Sequence, residues 1–153
     1  MGARLNGGEP AAGPLRNGPV RASSAEVASR MSRQRRLGTV PELALRRELH
    51  RLGLRYRIGW PVPGRPRRTI DVAFPRRQVA VFVDGCFWHA CPEHATSPKA
   101  NGAWWSEKLA GNVRRDRDTD AVLIDAGWAV VRVWEHEAVS EAAVRVVAAV
   151  RPW

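Results

Sequence analysis

The fold turns on Ile70-Asp71-Val72-Ala73-Phe74-Pro75-Arg76-Arg77-Gln78-Val79-Ala80-Val81-Phe82-Val83-Asp84. Two short apolar runs, Ile70 to Phe74 and Val79 to Val83, are joined by Pro75-Arg76-Arg77 in the manner of a hairpin, which predicts two antiparallel strands. Upstream, Thr39-Val40-Pro41-Glu42 has the form of a capping box, with Thr39 as N-cap and Glu42 three residues on. Leu45, Leu49 and Leu52 then follow at helical spacing as far as Gly53, a helix of about three turns. The segment from Trp60 to Pro66 reads as Pro and Gly punctuation. Downstream, Ala103 to Ala126 carries Leu109, Val113, Val122 and Leu123 among many charges and reads as a helix ending at Gly127. Ala129 to Trp134 is a third strand, and Glu137 to Val150 is an Ala/Val-rich helix. The expected order is helix, strand, strand, helix, strand, helix: an α/β fold with a small mixed sheet flanked by helices.

At 153 residues, the chain has room for one core and a tail. Residues 1–22 are rich in Gly, Ala, Pro and Arg without a period, so a disordered basic tail is expected there. Residues 23–153 form the expected domain, and Met31 is a second candidate start. No apolar run reaches the roughly 18 residues of a membrane helix, and no signal-peptide run opens the chain, so a cytoplasmic protein is expected. The formal net charge is +10. Such an excess favours a polyanionic partner, nucleic acid first and an anionic membrane surface second. Apart from Lys99 and Lys108 the cations are arginines, as codon bias in a GC-rich genome would produce, but bias does not explain the surplus over acids. Several of the seven tryptophans stand beside glycines and charges, where flat rings suit base stacking or wedging.

Cys86 and Cys91 share one short loop with His94, and His136 follows the third strand. In a reducing compartment this set suits a tetrahedral Cys2His2 zinc; the alternative is two free thiols and two surface histidines. Asp71 and Asp84 fall near one end of the hairpin, where hard carboxylate oxygens suit magnesium; alternatively they are turn-flanking acids paired with nearby arginines. His89 can deprotonate a water, and Glu42 can join from the first helix. Phe87-Trp88 and Trp104-Trp105 are either wedges for a base step or the roof of a mini-core around the zinc. Arg114-Arg115-Asp116-Arg117-Asp118 reads as a solvated helix face whose arginines also track phosphates.

Together the pieces match a known arrangement: Thr39-x-Pro-Glu42, Pro63-Gly64-x-Pro66 ahead of Asp71, Val81 to His89 with its Gly85-Cys86-Phe87-Trp88-His89 string, Trp105-x-x-Lys108, Asn112-x-x-Arg115-Asp116, Gly127-Trp128 and Trp134-Glu135. Over roughly residues 23–140 the chain resembles the very-short-patch-repair (Vsr) DNA mismatch endonucleases. The resemblance implies a fold like the type II restriction endonucleases and a structural zinc. It implies a magnesium-dependent nick on the 5′ side of the thymine in a T:G mismatch, the product of 5-methylcytosine deamination. By the same resemblance, Asp71 is the magnesium-binding catalytic aspartate, Val83 lends a backbone carbonyl, His89 activates water, and Glu42 lies near the metal. Phe87, Trp88 and Trp105 match the aromatic wedge. Lys108, Arg114 and Arg115 are the expected phosphate contacts.

Two departures stand out. Asp84 replaces a histidine of the best-known member, which adds a carboxylate as a further expected magnesium ligand. The zinc ligands are shuffled to Cys86, Cys91, His94 and His136 but remain four. The expected partners are mismatched duplex DNA, a cytosine-5 methyltransferase and a repair polymerase, with the protein a monomer. The rival readings are a restriction or recombination nuclease that needs no mismatch, and a zinc-stabilised DNA-binding module without activity.

Overall fold

The computed structural model describes residues 38–94 and 99–151. The expected tail at 1–22 and the alternative start at Met31 lie outside the described residues. Helix α1 (Val40–Arg51) buries Leu45 and Leu49, one turn apart on a single face, together with Glu42. Its start differs from a capping box: the Thr39 side chain makes no capping hydrogen bond. Instead the Glu42 carboxylate accepts from the Gly38 N–H at 2.9 Å, one residue further upstream. Its end follows the glycine. Gly53 turns left-handed at φ +80°, and Leu54 N–H reaches back to the Leu49 carbonyl at 3.0 Å, satisfying an otherwise orphaned helix-end acceptor.

Four strands follow as β1 (Arg57–Val62), β2 (Arg65–Phe74), β3 (Val79–Asp84) and, after helix α2 (Gly102–Asp125), β4 (Ala129–Trp134); helix α3 (Val139–Val150) comes last. The sheet order is β1-β2-β3-β4. The first two pairings are antiparallel and β3 pairs with β4 in parallel, α2 forming the crossover. The mixed sheet flanked by helices is as expected, and the β2–β3 hairpin turns through Pro75–Arg77.

Strand β1 is the element the sequence reading missed, and β2 begins five residues before Ile70. Both lapses have one cause. β1 lies at the sheet edge, where Pro61 costs no ladder bond and Ile58 stays 56% exposed, so no apolar alternation marks it. Arg65, Pro66 and Arg67 are likewise exposed at the start of β2.

The core lies on both faces of the sheet. On one face Val72, Phe74, Val79, Val81 and Val133 meet Leu45 and Leu49 of α1 and Ala142, Ala143, Val146 and Val150 of α3. On the other, Ala73, Ala80 and Phe82 meet Leu123 of α2 and Trp128. Leu49 is completely buried, so Leu49→Ala is expected to destabilise the fold by about 2–5 kcal/mol, read from the denaturant midpoint. A loss well under 1 kcal/mol would show that α1 does not contribute to the core.

Candidate active site

The loop after β3 is wound tightly. His89 N–H reaches the Gly85 carbonyl at 3.2 Å, and Cys91 N–H reaches that of Cys86 at 3.1 Å. From beyond β4, the Glu135 carboxylate accepts from the Cys86 N–H at 2.8 Å. Cys86, Cys91, His94 and His136 converge here, with ligand atoms all within 4.8 Å of one another, the cysteines buried and the histidines exposed. His136 Nδ1 lies 3.1 Å from Cys86 Sγ and 3.7 Å from Cys91 Sγ, and His94 Nδ1 lies 3.9 Å from Cys91 Sγ. Tetrahedral zinc bonds imply sulfur–nitrogen separations of about 3.6 Å, so this donor set fits that ion. On the far side of the ring, Glu93 lies 3.4 Å from His136 Nε2, the usual way a ligating imidazole is oriented. Burial, reinforced by Cys91, pushes the Cys86 thiol up to about 11. A cation between the sulfurs reverses that preference.

Asp71 stands where β2 and β3 begin to part. Its Oδ2 accepts from the Val83 N–H at 2.8 Å. Burial pushes its carboxyl up to about 6, and the negative charges of Glu42 and Asp84 add to the rise, against the Val83 hydrogen bond and Arg46. A carboxylate gathered with like charges away from water is a fitting seat for a hard divalent cation. Glu42 is buried but already engaged, one oxygen on Gly38 and the other paired with Arg46.

Asp84 pairs with an arginine, one of the two arrangements the sequence suggested, and with His89 and Asp116 it forms a second group of converging ligand atoms. Both of its oxygens accept from Arg132 Nη1, each at 2.9 Å, and Asp71 belongs to neither group of converging ligand atoms among the described residues. Asp84 shares the α2-facing side of β3 with Ala80 and Phe82, where Arg132 and His89 reach it.

His89 Nδ1 lies 2.6 Å from Asp116 Oδ2 on α2 and 3.7 Å from Asp84 Oδ1. Burial alone would lower its pKa, but the Asp116 hydrogen bond and the charges of Asp84 and Asp116 raise it. Asp116, expected on a solvated helix face, is therefore the residue the sequence reading missed. Its neighbour Asp118 is engaged too, accepting from Arg68 Nη1 at 2.6 Å. A signal was available: Asn112, Asp116 and Asp120 recur at intervals of four on α2. All three turn inward, Asn112 Nδ2 donating to the Trp88 carbonyl at 3.1 Å and Asp120 accepting from Arg132.

The rings form one cluster. Phe87 packs on Trp88 and Trp105 with centroids 5.0 and 5.5 Å away, and Trp104 packs on Trp105 at 4.8 Å. Trp105 is buried at the hub, whereas Trp104 is 40% exposed. Trp104 also lines a shallow groove of about 330 Å³ with Lys108, Arg114 and Arg115, which brings the three expected phosphate contacts together.

The family model for the DNA mismatch endonuclease Vsr matches residues 23–94, which include α1, the antiparallel strands and the Cys86–His94 loop. The type II nicking enzyme V.NaeI of Lentzea aerocolonigenes is 49% identical over 123 residues, covering 76% of this chain and 72% of that protein. The chain belongs to the Vsr family of DNA endonucleases. Another relative, the type II nicking enzyme V.XorIIP of Xanthomonas oryzae pv. oryzae, is 39% identical over 110 residues, 70% of this chain and 77% of that one. The DNA mismatch endonuclease Vsr of Escherichia coli is 35% identical over 85 residues, 54% of this chain and 52% of that one. The family match ends at His94, so Asp116, Arg132 and His136 of this Vsr-family chain lie beyond it. Among the described residues no helix is long and apolar enough to cross a membrane.

Proposed function

We propose that this protein nicks one strand of duplex DNA on the 5′ side of the thymine in a T:G mismatch, using magnesium at Asp71 and stabilised by zinc in the Cys86, Cys91, His94 and His136 cluster. The observation that carries this reading is the order of the loop. Phe87 and Trp88 stand between Cys86, held in the Cys/His cluster, and His89, held by Asp116. A wedge and a base are thereby fixed to one short segment. The mismatch itself is suggested by the family's description and by the Escherichia coli relative.

When bound, magnesium lowers the pKa of water and offsets charge on the scissile phosphate. Asp71 and the Val83 carbonyl would hold it, with Glu42 shaping the charge nearby. Because His89 Nδ1 faces Asp116, its Nε2 is the ring atom left to take the proton from water. Lys108, Arg114 and Arg115 hold the backbone, while Phe87, Trp88 and the ring hub at Trp105 prop open the mismatched step. In this role the protein works as a monomer beside a cytosine-5 methyltransferase, and a repair polymerase fills the gap.

The test is nicking in magnesium of three duplexes that differ only in carrying T:G, T:A or C:G at one position. Cutting confined to T:G is expected, and equal cutting of all three would favour the restriction-type rival. In the same assay, Trp88→Ala is expected to lower the preference for mismatched over matched duplex by about tenfold, in keeping with the 1–3 kcal/mol typical of a base–aromatic contact. Equal weakening on both DNAs would contradict the wedge.

A further inference from the structure

Arg132 of β4 is the cation at the centre of the polar cluster beneath His89. Its Nη1 donates to both Asp84 oxygens at 2.9 Å. Its Nε and Nη2 donate to Asp120 at 3.1, 3.0 and 2.8 Å. Nη2 also donates to the Asp116 carbonyl at 3.4 Å and lies 3.8 Å from that residue's Oδ1. The guanidinium is held from one side by the Phe82 ring, 4.7 Å from its centroid. One planar fork thus spans three carboxylates on two elements, which a point charge on a flexible stem cannot do.

Two of those carboxylates face the same imidazole nitrogen. Asp116 Oδ2 is 2.6 Å from His89 Nδ1, and Asp84 Oδ1 is 3.7 Å from it. Asp84 is the buried one, and a buried carboxylate without a partner takes any donor within reach. Both its oxygens accept from Arg132, whose charge weakens the pull of Asp84 on the ring, so Asp116 at 2.6 Å is the closer acceptor.

We infer that Arg132 is a positioning residue: by occupying Asp84 it leaves Asp116 as the acceptor of His89 Nδ1–H, and so fixes the direction in which Nε2 faces the reaction. The inference rests on the reading of His89 as the base. It assigns Asp84 a role that differs from metal binding, namely the anchor of the cation that orders the dyad. It also makes the three residues interdependent. Removing Arg132 frees Asp84 to draw the ring away from Asp116, and removing the Asp84 charge as well relieves that competition.

The test uses the full chain with Arg132→Met, Arg132→Lys and the double variant Arg132→Met with Asp84→Asn. Two quantities are measured: the single-turnover nicking rate beside the DNA dissociation constant, and the His89 ring 15N shifts, assigned with His89→Ala. For Arg132→Met the nicking rate is expected to fall about 10- to 100-fold, as for an impaired general base, with DNA affinity within about twofold of wild type. The 15N pattern is expected to shift at Nδ1, as the proton it keeps passes from Asp116 to Asp84 as acceptor. Arg132→Lys should restore little of either, and the double variant should recover much of both.

A merely structural arginine would also give recovery by Asp84→Asn, because the double change removes the unpaired buried charge, but it would leave the 15N shifts of Arg132→Met at their wild-type values. Wild-type 15N shifts in Arg132→Met, or in Arg132→Lys should the methionine variant not fold, would overturn the inference. So would a double variant no better than the single one. The 15N readout does not depend on nicking, so a wild-type protein inactive on T:G DNA would refute the proposed activity while leaving the positioning claim tested on its own.

Discussion

Asp71→Asn is expected to lower the nicking rate by about a thousandfold or more, as befits loss of an anionic metal ligand at the centre of the reaction, and at the same time to make the metal-free fold more stable. The second effect follows from the same burial that makes the residue useful. The Asp71 carboxyl is raised from 3.8 to about 6 in the folded protein by burial and by the charges of Glu42 and Asp84. A group raised in this way contributes stability that is fully present below its unfolded pKa, near 4, and lost as pH rises through about 6. At about pH 8 without divalent cation, the ionised side chain therefore costs the fold on the order of 2–3 kcal/mol. Asparagine carries no charge and can still accept from the Val83 N–H, so the variant should melt higher at about pH 8 and equally at about pH 3. Added magnesium should raise the melting temperature of the wild type and not that of the variant, because only the native state of the former binds it. A variant that melts lower at about pH 8 would mean that the ionised Asp71 stabilises the site, and unchanged nicking would remove it from catalysis.

Cys91→Ala is expected to remove stoichiometric zinc and to release the segment from Gly85 to His94. Cys91 is completely buried, and it stands close to both histidines of the cluster. Zinc contributes about 10–16 kcal/mol in isolated finger peptides. Here the sheet and the α1–α3 face have their own core, so the loss should be confined to the loop. Elemental analysis should show about one zinc per wild-type chain and none in the variant. Amide exchange should speed up across Gly85 to His94 while staying slow in β2 and β3. Nicking should fall by about a hundredfold or more, since Phe87, Trp88 and His89 all lose their anchor. Purified wild-type protein without stoichiometric zinc would exclude the cluster as a zinc site.

What could be read from the sequence was whatever leaves a local mark. The β2–β3 hairpin was legible because both strands are buried enough to form continuous apolar runs. The ends of α1 and α2 were legible because Gly53 and Gly127 take the left-handed conformation that closes a helix. The four Cys/His residues were legible as a group because soft ligands are scarce in the chain. Strand β1 left no mark, since an exposed edge needs neither alternation nor freedom from proline. The partners of the acids were illegible for a different reason. Whether Asp84 engages Arg132 leaves no local mark, because Arg132 lies 48 residues away along the chain. Asp116 was obscured by its neighbours, because Arg114, Arg115 and Arg117 make the run look solvated while one acid within it turns inward to His89.

The most direct measurement is nicking in magnesium of a duplex library in which T:G, T:A or C:G sits between randomised flanks, with every new 5′ end mapped by sequencing. Cuts are predicted only in the T:G members, on the thymine strand and immediately 5′ to that thymine, in a restricted set of flanking sequences. Cuts distributed equally among the three pairs, or placed without reference to the thymine, would contradict a mismatch endonuclease.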